Sequence, residues 1–230
     1  MKLVVNNLEK NFQDKKVLKG ASYEFESGKI YGLLGRNGSG KTTFFNIVYK
    51  ELKKDGGEIF LADNEKVLDI RVEDVGMMFS ENILPEFLTG YEFIKFFIDI
   101  NSPGEDPDEY LDQMSFSEDD RHRLIKDYSH GMKSKISLLC IVIGEKKILL
   151  LDEPLTSIDV IMAIEIKKIL KKLKKDNIII LSTHILELAK DLCDEIVLLH
   201  DGKFNSLEKL EDNENFEEKI IDALMEENDV

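Results

Sequence analysis

The sequence is poor in cysteine and histidine, and this scarcity excludes two kinds of site. The cysteines, Cys140 and Cys193, both stand among apolar neighbours. We interpret them as small core residues in a reducing compartment rather than as a disulfide. The four histidines are scattered and show no metal-ligand spacing. We therefore expect neither a disulfide nor a zinc site built from these residues.

Long apolar runs are also missing. The longest run, residues 138–143, is far shorter than the stretch of about 20 residues that a membrane-spanning helix needs. The first residues, MKLVVNNLEK, lack the apolar core and the cleavage site of a signal peptide. We expect a chain that neither spans a membrane nor carries a secretion signal.

Positive charge is outweighed by negative charge, and the net charge is −15 at pH 7. This balance argues against a broad nucleic-acid surface, which needs a basic face. Much of the negative charge is concentrated in residues 205–230. Apolar residues of this tail fall at helical spacing, and they are Phe216, Ile220, Ile221, Leu224 and Met225. We expect an acidic amphipathic helix that either packs against the body or binds a partner.

The order of patterns along the chain predicts an α/β protein. Alternating apolar residues predict short strands up to about residue 60, and helical periodicity prevails between residues 84 and 146. In the last third, buried strands alternate with helices, and these strands read KKILLLDEP, NIIILSTH and DEIVLLHDG. Such alternation predicts a mostly parallel sheet with helices on both faces.

A glycine-rich loop between a strand and a helix predicts a phosphate site. The strand KIYGLL leads into GRNGSGKT at residues 35–42, and an apolar helical pattern follows. Gly35, Gly38 and Gly40 let the backbone turn tightly and aim its N–H groups at a phosphate, helped by the helix dipole. Lys41 can reach the β- and γ-phosphates, and the Thr42 hydroxyl can ligate Mg²⁺.

An acidic pair follows a second buried strand, in ILLLDEP at residues 148–154. Asp152 would lie across from Thr42 and hold Mg²⁺ directly or through water. Glu153 stands one residue further on, where a carboxylate can polarise an attacking water. The bland alternative is polarity that merely caps the strand end, but the glycine-rich loop favours a phosphoryl-transfer site.

The motifs GRNGSGKT, YSHGMKSK, ILLLDEP, TSID and STH follow one another in this order. Over residues 3–203 the chain closely resembles the ATPase subunit of an ATP-binding-cassette (ABC) transporter. The resemblance implies an α/β P-loop NTPase fold, an ABC ATPase core with an antiparallel β portion in residues 1–83 and 147–203. A helical subdomain would be inserted at residues 84–146, and residues 204–230 would form the acidic tail.

The resemblance also implies roles for single residues. ATP would be bound by the loop residues Asn37, Gly38, Ser39, Gly40, Lys41, Thr42 and Thr43. Phe12 would stack on adenine, although a phenylalanine on a strand can equally be a core residue. His184 of STH would bind the γ-phosphate and hold the attacking water, while Lys41 and Glu153 complete the catalytic set. Thr156–Asp159 would contact the opposite subunit of a dimer.

Two departures from the family pattern bear on activity. Ser80 stands where the family usually has a glutamine that contacts Mg²⁺. A serine hydroxyl can also ligate Mg²⁺, but its side chain is shorter, and we expect a slower or more loosely coupled enzyme. In YSHGMKSK, Ser129 and Gly131 of the family signature are retained, whereas His130 and Met132 replace a glycine and a glutamine. We interpret this signature as altered but functional.

The resemblance implies an ATPase that drives transport through a separate transmembrane permease subunit, at the cytoplasmic face of the membrane. Two ATP-binding subunits, identical or related, would close head to tail around two ATP molecules. The Gly-Met variant of the signature favours export of a peptide or drug-like molecule. Apolar residues that would dock the permease, or else belong to the core, are Ile83, Leu84, Phe87 and Leu88.

Two other functions compete with this one. The first is a nucleotide switch of low turnover in a heterodimer, which Ser80 and His130 favour and the intact Glu153 and His184 disfavour. The second is a non-transport ABC ATPase that acts on DNA or ribosomes. The acidic charge of the chain argues against the second alternative.

Overall fold

Two β-sheets form the frame of the fold. The computed structural model describes residues 1–13, 15–64, 66–154 and 160–207. The first sheet is antiparallel with the strand order β2-β1-β4-β5. Its strands are β1 (Lys2–Phe12), β2 (Lys15–Glu26), β4 (Gly56–Asp63) and β5 (Lys66–Leu68).

The second sheet has the strand order β10-β9-β3-β8-β7-β6. Its strands are β3 (Ile30–Leu34), β6 (Val75–Met78), β7 (Ile148–Asp152), β8 (Ile178–Ser182), β9 (Glu195–His200) and β10 (Lys203–Leu207). All neighbours in this sheet are parallel except β10, which pairs antiparallel with β9. The predicted α/β class with a mostly parallel sheet is therefore confirmed.

Every residue of β3, β7 and β8 is buried, because both faces of the parallel sheet are covered. Within β7, Ile148 and Leu150 face a core shared with the antiparallel sheet, while Leu149 and Leu151 face a core shared with the helices. This alternation explains why the sequence of a central strand is continuously apolar.

Most helices of the described chain pack on the core that contains Leu149 and Leu151. They are α1 (Lys41–Val48), α2 (Gly90–Asn101), α3 (Pro107–Gln113), α4 (Glu118–Arg121), α5 (His130–Ile143), α6 (Val160–Leu173) and α7 (Leu186–Leu192). Short 3₁₀ turns occur at Val72–Asp74 and Ile125–Asp127. Of the helices described, none has both the length and the apolar character that crossing a membrane requires.

Helices α2 to α5 occupy the segment expected to be a helical subdomain, residues 84–146. Helix α2 begins with a capping box, in which Thr89 Oγ1 accepts the Glu92 N–H at 3.2 Å and the Glu92 carboxylate accepts the Thr89 N–H at 2.9 Å. Helix α2 packs against α5 and α3. Arg121 holds α3 in place through Asp108 and Asp112.

One boundary predicted from the sequence is wrong, and two predicted segments lie outside the described residues. Residues 204–207, which we assigned to the acidic tail, belong to β10, because they continue the sheet beside β9. The tail from residue 208 onward and the TSID motif at residues 156–159 lie outside the described residues. Cys193 is buried and Cys140 is partly buried, and no disulfide joins these two described residues.

Gly57 of β4 lies directly against the backbone of β1. Its φ is +74°, and a Cβ atom there would lie 2.1 Å from the Asn7 carbonyl oxygen. We predict that Gly57→Ala lowers the free energy of unfolding by about 3 kcal/mol, since both the φ angle and a rigid backbone atom oppose the methyl group. Urea denaturation measures the change.

Gly104→Ala is the matched control. Gly104 has a φ of +98°, but a Cβ atom added there would meet no other atom within 4 Å. This variant should lose only the cost of the φ angle, about 1 kcal/mol. Equal losses in the two variants would show that the close approach of β1 and β4 carries no stability.

Candidate active site

The carboxyl ends of β3, β8 and β7 lie side by side and bring three polar segments together. Each parallel strand points its carboxyl end at the same edge of the sheet. Residues 35–40 follow β3, Glu153 follows β7, and Thr183 and His184 follow β8. The topology therefore collects three of the motifs that are far apart in the sequence.

The loop between β3 and α1 needs glycine at defined positions. Gly38 and Gly40 have φ angles of +82° and +109°. A Cβ atom on Gly35 would lie 2.6 Å from Ser39 Oγ and 2.7 Å from the Leu199 carbonyl oxygen. Helix α1 starts at Lys41 without a side-chain cap. Its first N–H groups and the dipole are thus left for an anion.

Lys41 lies inside this loop rather than in solvent. Its side chain is buried, and Nζ donates to the carbonyl oxygens of Gly35 at 2.7 Å and Arg36 at 3.3 Å. Burial lowers the pKa of the Lys41 ammonium, while the charges of Glu153 and Asp152 oppose that change. The ammonium group is therefore already placed where a phosphate would lie.

Asp152 joins the ends of β7 and β8 to the start of α1. Its Oδ2 accepts the Thr42 hydroxyl at 3.2 Å, and its Oδ1 accepts the Ser182 hydroxyl. The Asp152 side chain is buried. A hydroxyl and a carboxylate beside a phosphate site are the oxygen donors that Mg²⁺ takes in proteins, with phosphates and water completing the shell. Thr42 and Asp152 therefore fit a magnesium ion.

Glu153 and His184 form a contact pair at the same edge. His184 Nδ1 lies 2.9 Å from Glu153 Oε1, and the Glu153 N–H donates to Ser182 Oγ at 3.0 Å. Glu153 has a φ of +53°, an uncommon value for a residue with a side chain. Such strained backbone concentrates at functional sites. The carboxylate is thus held by a second side chain instead of pointing freely into solvent.

A cavity of about 400 Å³ lies in front of these segments. Its walls include most of the residues that the sequence pointed to. They are Phe12, Asn37, Gly38, Gly40, Lys41, Thr42, Thr43, Ser80, Asp152 and Glu153, together with Val17. Phe12 is 45% exposed, so the alternative of a core residue is wrong. Val17 was missed because nothing distinguishes a valine on a strand from its apolar neighbours.

Ser39 lies beside this cavity rather than in its wall. It lines a neighbouring basic cavity with Lys15, Lys16 and Arg36. Its Oγ atom is buried, and within the described part of the chain it has no hydrogen-bond partner. A hydroxyl in that condition is suited to an incoming acceptor such as a phosphate oxygen.

Ser129 and Gly131 stand apart from the cavity, in the helical segment. Ser129 Oγ accepts the Met132 N–H at 3.2 Å and so caps α5. His130 is the first residue of α5, is exposed, and has a helical backbone that any residue adopts. The replacement of glycine at this position therefore costs no backbone strain.

A hydrogen-bond network links the loop of Ser80 to α5, and sequence reasoning missed it. Asn82 Nδ2 donates to Ser134 Oγ at 3.1 Å, and Asn82 Oδ1 accepts the Ser137 hydroxyl at 2.7 Å. Ser134 Oγ also donates to the His130 carbonyl oxygen at 3.1 Å. The sequence gives only a weak signal for this network, because the two serines lie in a helix that also carries lysines.

Comparisons with known proteins agree with this geometry. The family model described as "ABC transporter" matches residues 18–156. An uncharacterised ABC transporter ATP-binding protein of Methanocaldococcus jannaschii is 33% identical over 92% of this chain and 79% of its own length. ABC transporter A family member 11 of Dictyostelium discoideum is 32% identical over 86% of this chain, which spans only 25% of that protein.

Two further similarities concern a named cargo and a nucleotide state. A fluoroquinolones export ATP-binding protein of Mycobacterium tuberculosis is 31% identical over 83% of this chain and 64% of its own length. A dimeric ATP-binding cassette solved in a post-hydrolysis state with ADP and Pi superposes with a TM-score of 0.77. It is 22% identical over 91% of this chain and 99% of its own length, which establishes the shared fold.

The chain belongs to the ABC transporter family and is an ATP-binding subunit with an ABC ATPase domain. The resemblance noted from the motifs is thereby confirmed.

We predict that Asn82→Ala lowers kcat for ATP hydrolysis about fivefold and leaves the Kd for ATP unchanged. The variant removes two hydrogen bonds between the Ser80 loop and α5, each worth about 1 kcal/mol. Steady-state hydrolysis and equilibrium nucleotide binding measure the two constants. Asn101→Ala is the control, because among the described residues Asn101 Nδ2 bonds to the Phe97 carbonyl oxygen, within α2 itself. An unchanged kcat in Asn82→Ala would contradict the link.

Proposed function

We propose that this chain hydrolyses Mg-ATP to drive export of a drug-like molecule or peptide through a separate transmembrane permease. The observation that carries the proposal is the cavity lined by the glycine-rich loop, Asp152 and Glu153, together with the contact of His184 with Glu153. Such a set serves phosphoryl transfer, which depends on positioning and on electrostatic stabilisation.

Each residue has a role in this mechanism. The loop N–H groups and Lys41 bind the β- and γ-phosphates, and the ring of Phe12 stacks on adenine. A magnesium ion held by Thr42 and Asp152, with Ser80 at the cavity wall, would neutralise developing charge on the phosphates. Glu153 accepts a hydrogen bond from the attacking water and polarises it, while His184 binds the γ-phosphate and helps to hold that water.

A second subunit completes the site in a head-to-tail dimer. Ser129 is exposed at the start of α5, where its hydroxyl and the positive end of the helix dipole favour an anion. Within one chain this helix start does not line the ATP cavity as far as the described residues show. Ser129 and Gly131 of one subunit therefore serve the γ-phosphate held by the other.

The permease contacts the loop that follows Ser80. Ile83 and Phe87 are 86% and 79% exposed, which supports docking, whereas Leu84 and Leu88 are partly buried. Exposed apolar side chains this close together favour a protein partner. Asn82 of the same loop is hydrogen-bonded to α5. A movement of the permease is therefore coupled to a movement of α5. The chain then works at the cytoplasmic face of the membrane.

The direction of transport and the kind of cargo follow from two supporting observations. Met132 follows Gly131, as in export-type members that the sequence resembles. The mycobacterial relative is named for fluoroquinolone export. The competing function, a nucleotide switch of low turnover, is favoured by Ser80, which offers only a short hydroxyl at the cavity wall. The contact between Glu153 and His184 argues for an active site.

We predict that Glu153→Gln reduces ATP hydrolysis by roughly 100-fold or more, because general-base help is lost, and leaves ATP binding within twofold. In Mg-ATP, the unhydrolysed nucleotide should hold the variant as a dimer. In Mg-ADP, the variant should remain a monomer. Light scattering on a sizing column measures the mass in each nucleotide.

The double variant Glu153→Gln with Ser129→Ala is the matched control. It lacks the hydroxyl that reaches the opposite subunit, so its dimer should require a higher protein concentration. A monomer in Mg-ATP with nucleotide bound to Glu153→Gln would contradict the homodimer. Rapid hydrolysis by Glu153→Gln would contradict the role of the carboxylate.

A further inference from the structure

The end of β1 extends beyond one of its two neighbouring strands. Strand β1 runs to Phe12, but its pairing with β4 ends at Glu9 opposite Gly56. Beyond Glu9 the strand pairs only with β2, where Phe12 lies opposite Lys15. A two-stranded ribbon by itself is barely stable in water. The segment that carries Phe12 therefore needs support on the β4 side.

Asp55, the residue before β4, supplies that support. Its N–H donates to the Glu9 carbonyl oxygen at 2.9 Å. Its Oδ2 accepts the Asn11 N–H at 2.6 Å, and its Oδ1 accepts Lys10 Nζ at 3.1 Å. One residue thus bonds to three consecutive residues of β1 and replaces the missing strand. The hydrogen bond from Asn11, and then the one from Lys10, lowers the pKa of the Asp55 carboxyl.

Lys10 carries this support to the ring of Phe12. Its side chain is buried, an unusual place for an ammonium group unless it is paired. Lys10 Nζ lies 5.3 Å from the centroid of the Phe12 ring, within cation–π range, while it also bonds to Asp55. The ring also lines the ATP cavity and remains partly exposed, so it can take a stacked base while the ammonium group holds it.

We propose that Asp55, acting through Lys10, is a positioning residue that holds Phe12 ready to stack on the adenine of ATP. This proposal rests on the proposed function, which assigns adenine to Phe12. Asp55 is not among the described residues that line the ATP cavity. It raises affinity for the base by fixing the ring before binding, so that less ordering remains to be done when ATP arrives.

The proposal separates two parts of the ligand. Binding of the base depends on Phe12 and hence on Asp55. Binding of the phosphates depends on the loop at residues 35–42. Tripolyphosphate carries the phosphates of ATP without its base. A role of Asp55 in general stability would weaken binding of both ligands alike.

The test is isothermal titration of Mg-ATP and of magnesium tripolyphosphate into four proteins. These are the unsubstituted chain, Phe12→Ala, Asp55→Ala and the double variant. Base stacking on an aromatic ring supports a loss of roughly tenfold in ATP affinity for Phe12→Ala, and we expect about fivefold for Asp55→Ala. Tripolyphosphate affinity should stay within about twofold in both. The double variant should match Phe12→Ala, since Asp55 acts only through the ring.

Glu24→Ala is the matched control variant. Glu24 also accepts a hydrogen bond from a lysine of β1, since Lys2 Nζ lies 3.0 Å from Glu24 Oε2. This contact is at the far end of the strand from Phe12. It should change neither affinity. If Asp55→Ala fails to fold, Asp55→Asn takes its place, because the amide oxygen still accepts one hydrogen bond while the charge that holds Lys10 is gone. Its expected loss of ATP affinity is about threefold, with tripolyphosphate unchanged.

The outcomes separate this proposal from the proposed function. An equal loss for ATP and tripolyphosphate in Asp55→Ala, or an additive loss in the double variant, overturns the positioning role. Unchanged ATP affinity in Asp55→Ala with a loss in Phe12→Ala overturns it too and leaves the proposed function standing. Unchanged ATP affinity in Phe12→Ala shows that adenine does not lie on this ring, and the positioning role then falls together with the adenine role that the proposed function gives to Phe12.

Discussion

The carboxylate of Asp152 is the contact on which the site depends. It accepts hydrogen bonds from the hydroxyls of Thr42 at the start of α1 and Ser182 at the end of β8, and thereby joins the ends of β7 and β8 to the helix that follows the glycine-rich loop. A buried charge is stable only when it is bonded or paired. Lys41 lies in the same pocket, where burial lowers the pKa of its ammonium group and the charges of Glu153 and Asp152 oppose that change. The Asp152 carboxylate and the Lys41 ammonium group thus lie at the same site, where a metal ion and phosphates can bind.

Much of the fold and the site could be predicted from short stretches of sequence. Strands β3, β7 and β8 read as continuous apolar runs, since both of their faces are covered, and the functional residues follow directly at their ends. Asp55 and Asn82 could not be predicted in this way. Their partners, Lys10 and Ser134, are distant in sequence, and the contacts arise from strand register and from the packing of a loop on α5.

The differences from the family signature have a common physical explanation. His130 is acceptable because α5 begins there in ordinary helical geometry and Ser129 still caps it. Ser80 is short, but its loop is tied to α5 by Asn82, so its position is set by more than its own side chain. Phe12 likewise depends on Asp55, because the end of β1 that carries Phe12 is no longer paired with β4. At Ser80 and at Phe12, a residue outside the predicted site supports one inside it.

The most direct test of this account is the effect of Mg²⁺ on ATP affinity in Asp152→Asn. Asparagine keeps the shape and can accept the Thr42 hydroxyl, but it removes the charge that would hold the metal. We predict that calorimetry without Mg²⁺ gives a Kd for ATP close to that of the unsubstituted chain, and that adding Mg²⁺ no longer tightens binding. If Mg²⁺ tightens ATP binding equally in both proteins, Asp152 is not the metal ligand, and the central contact described here does not organise the site.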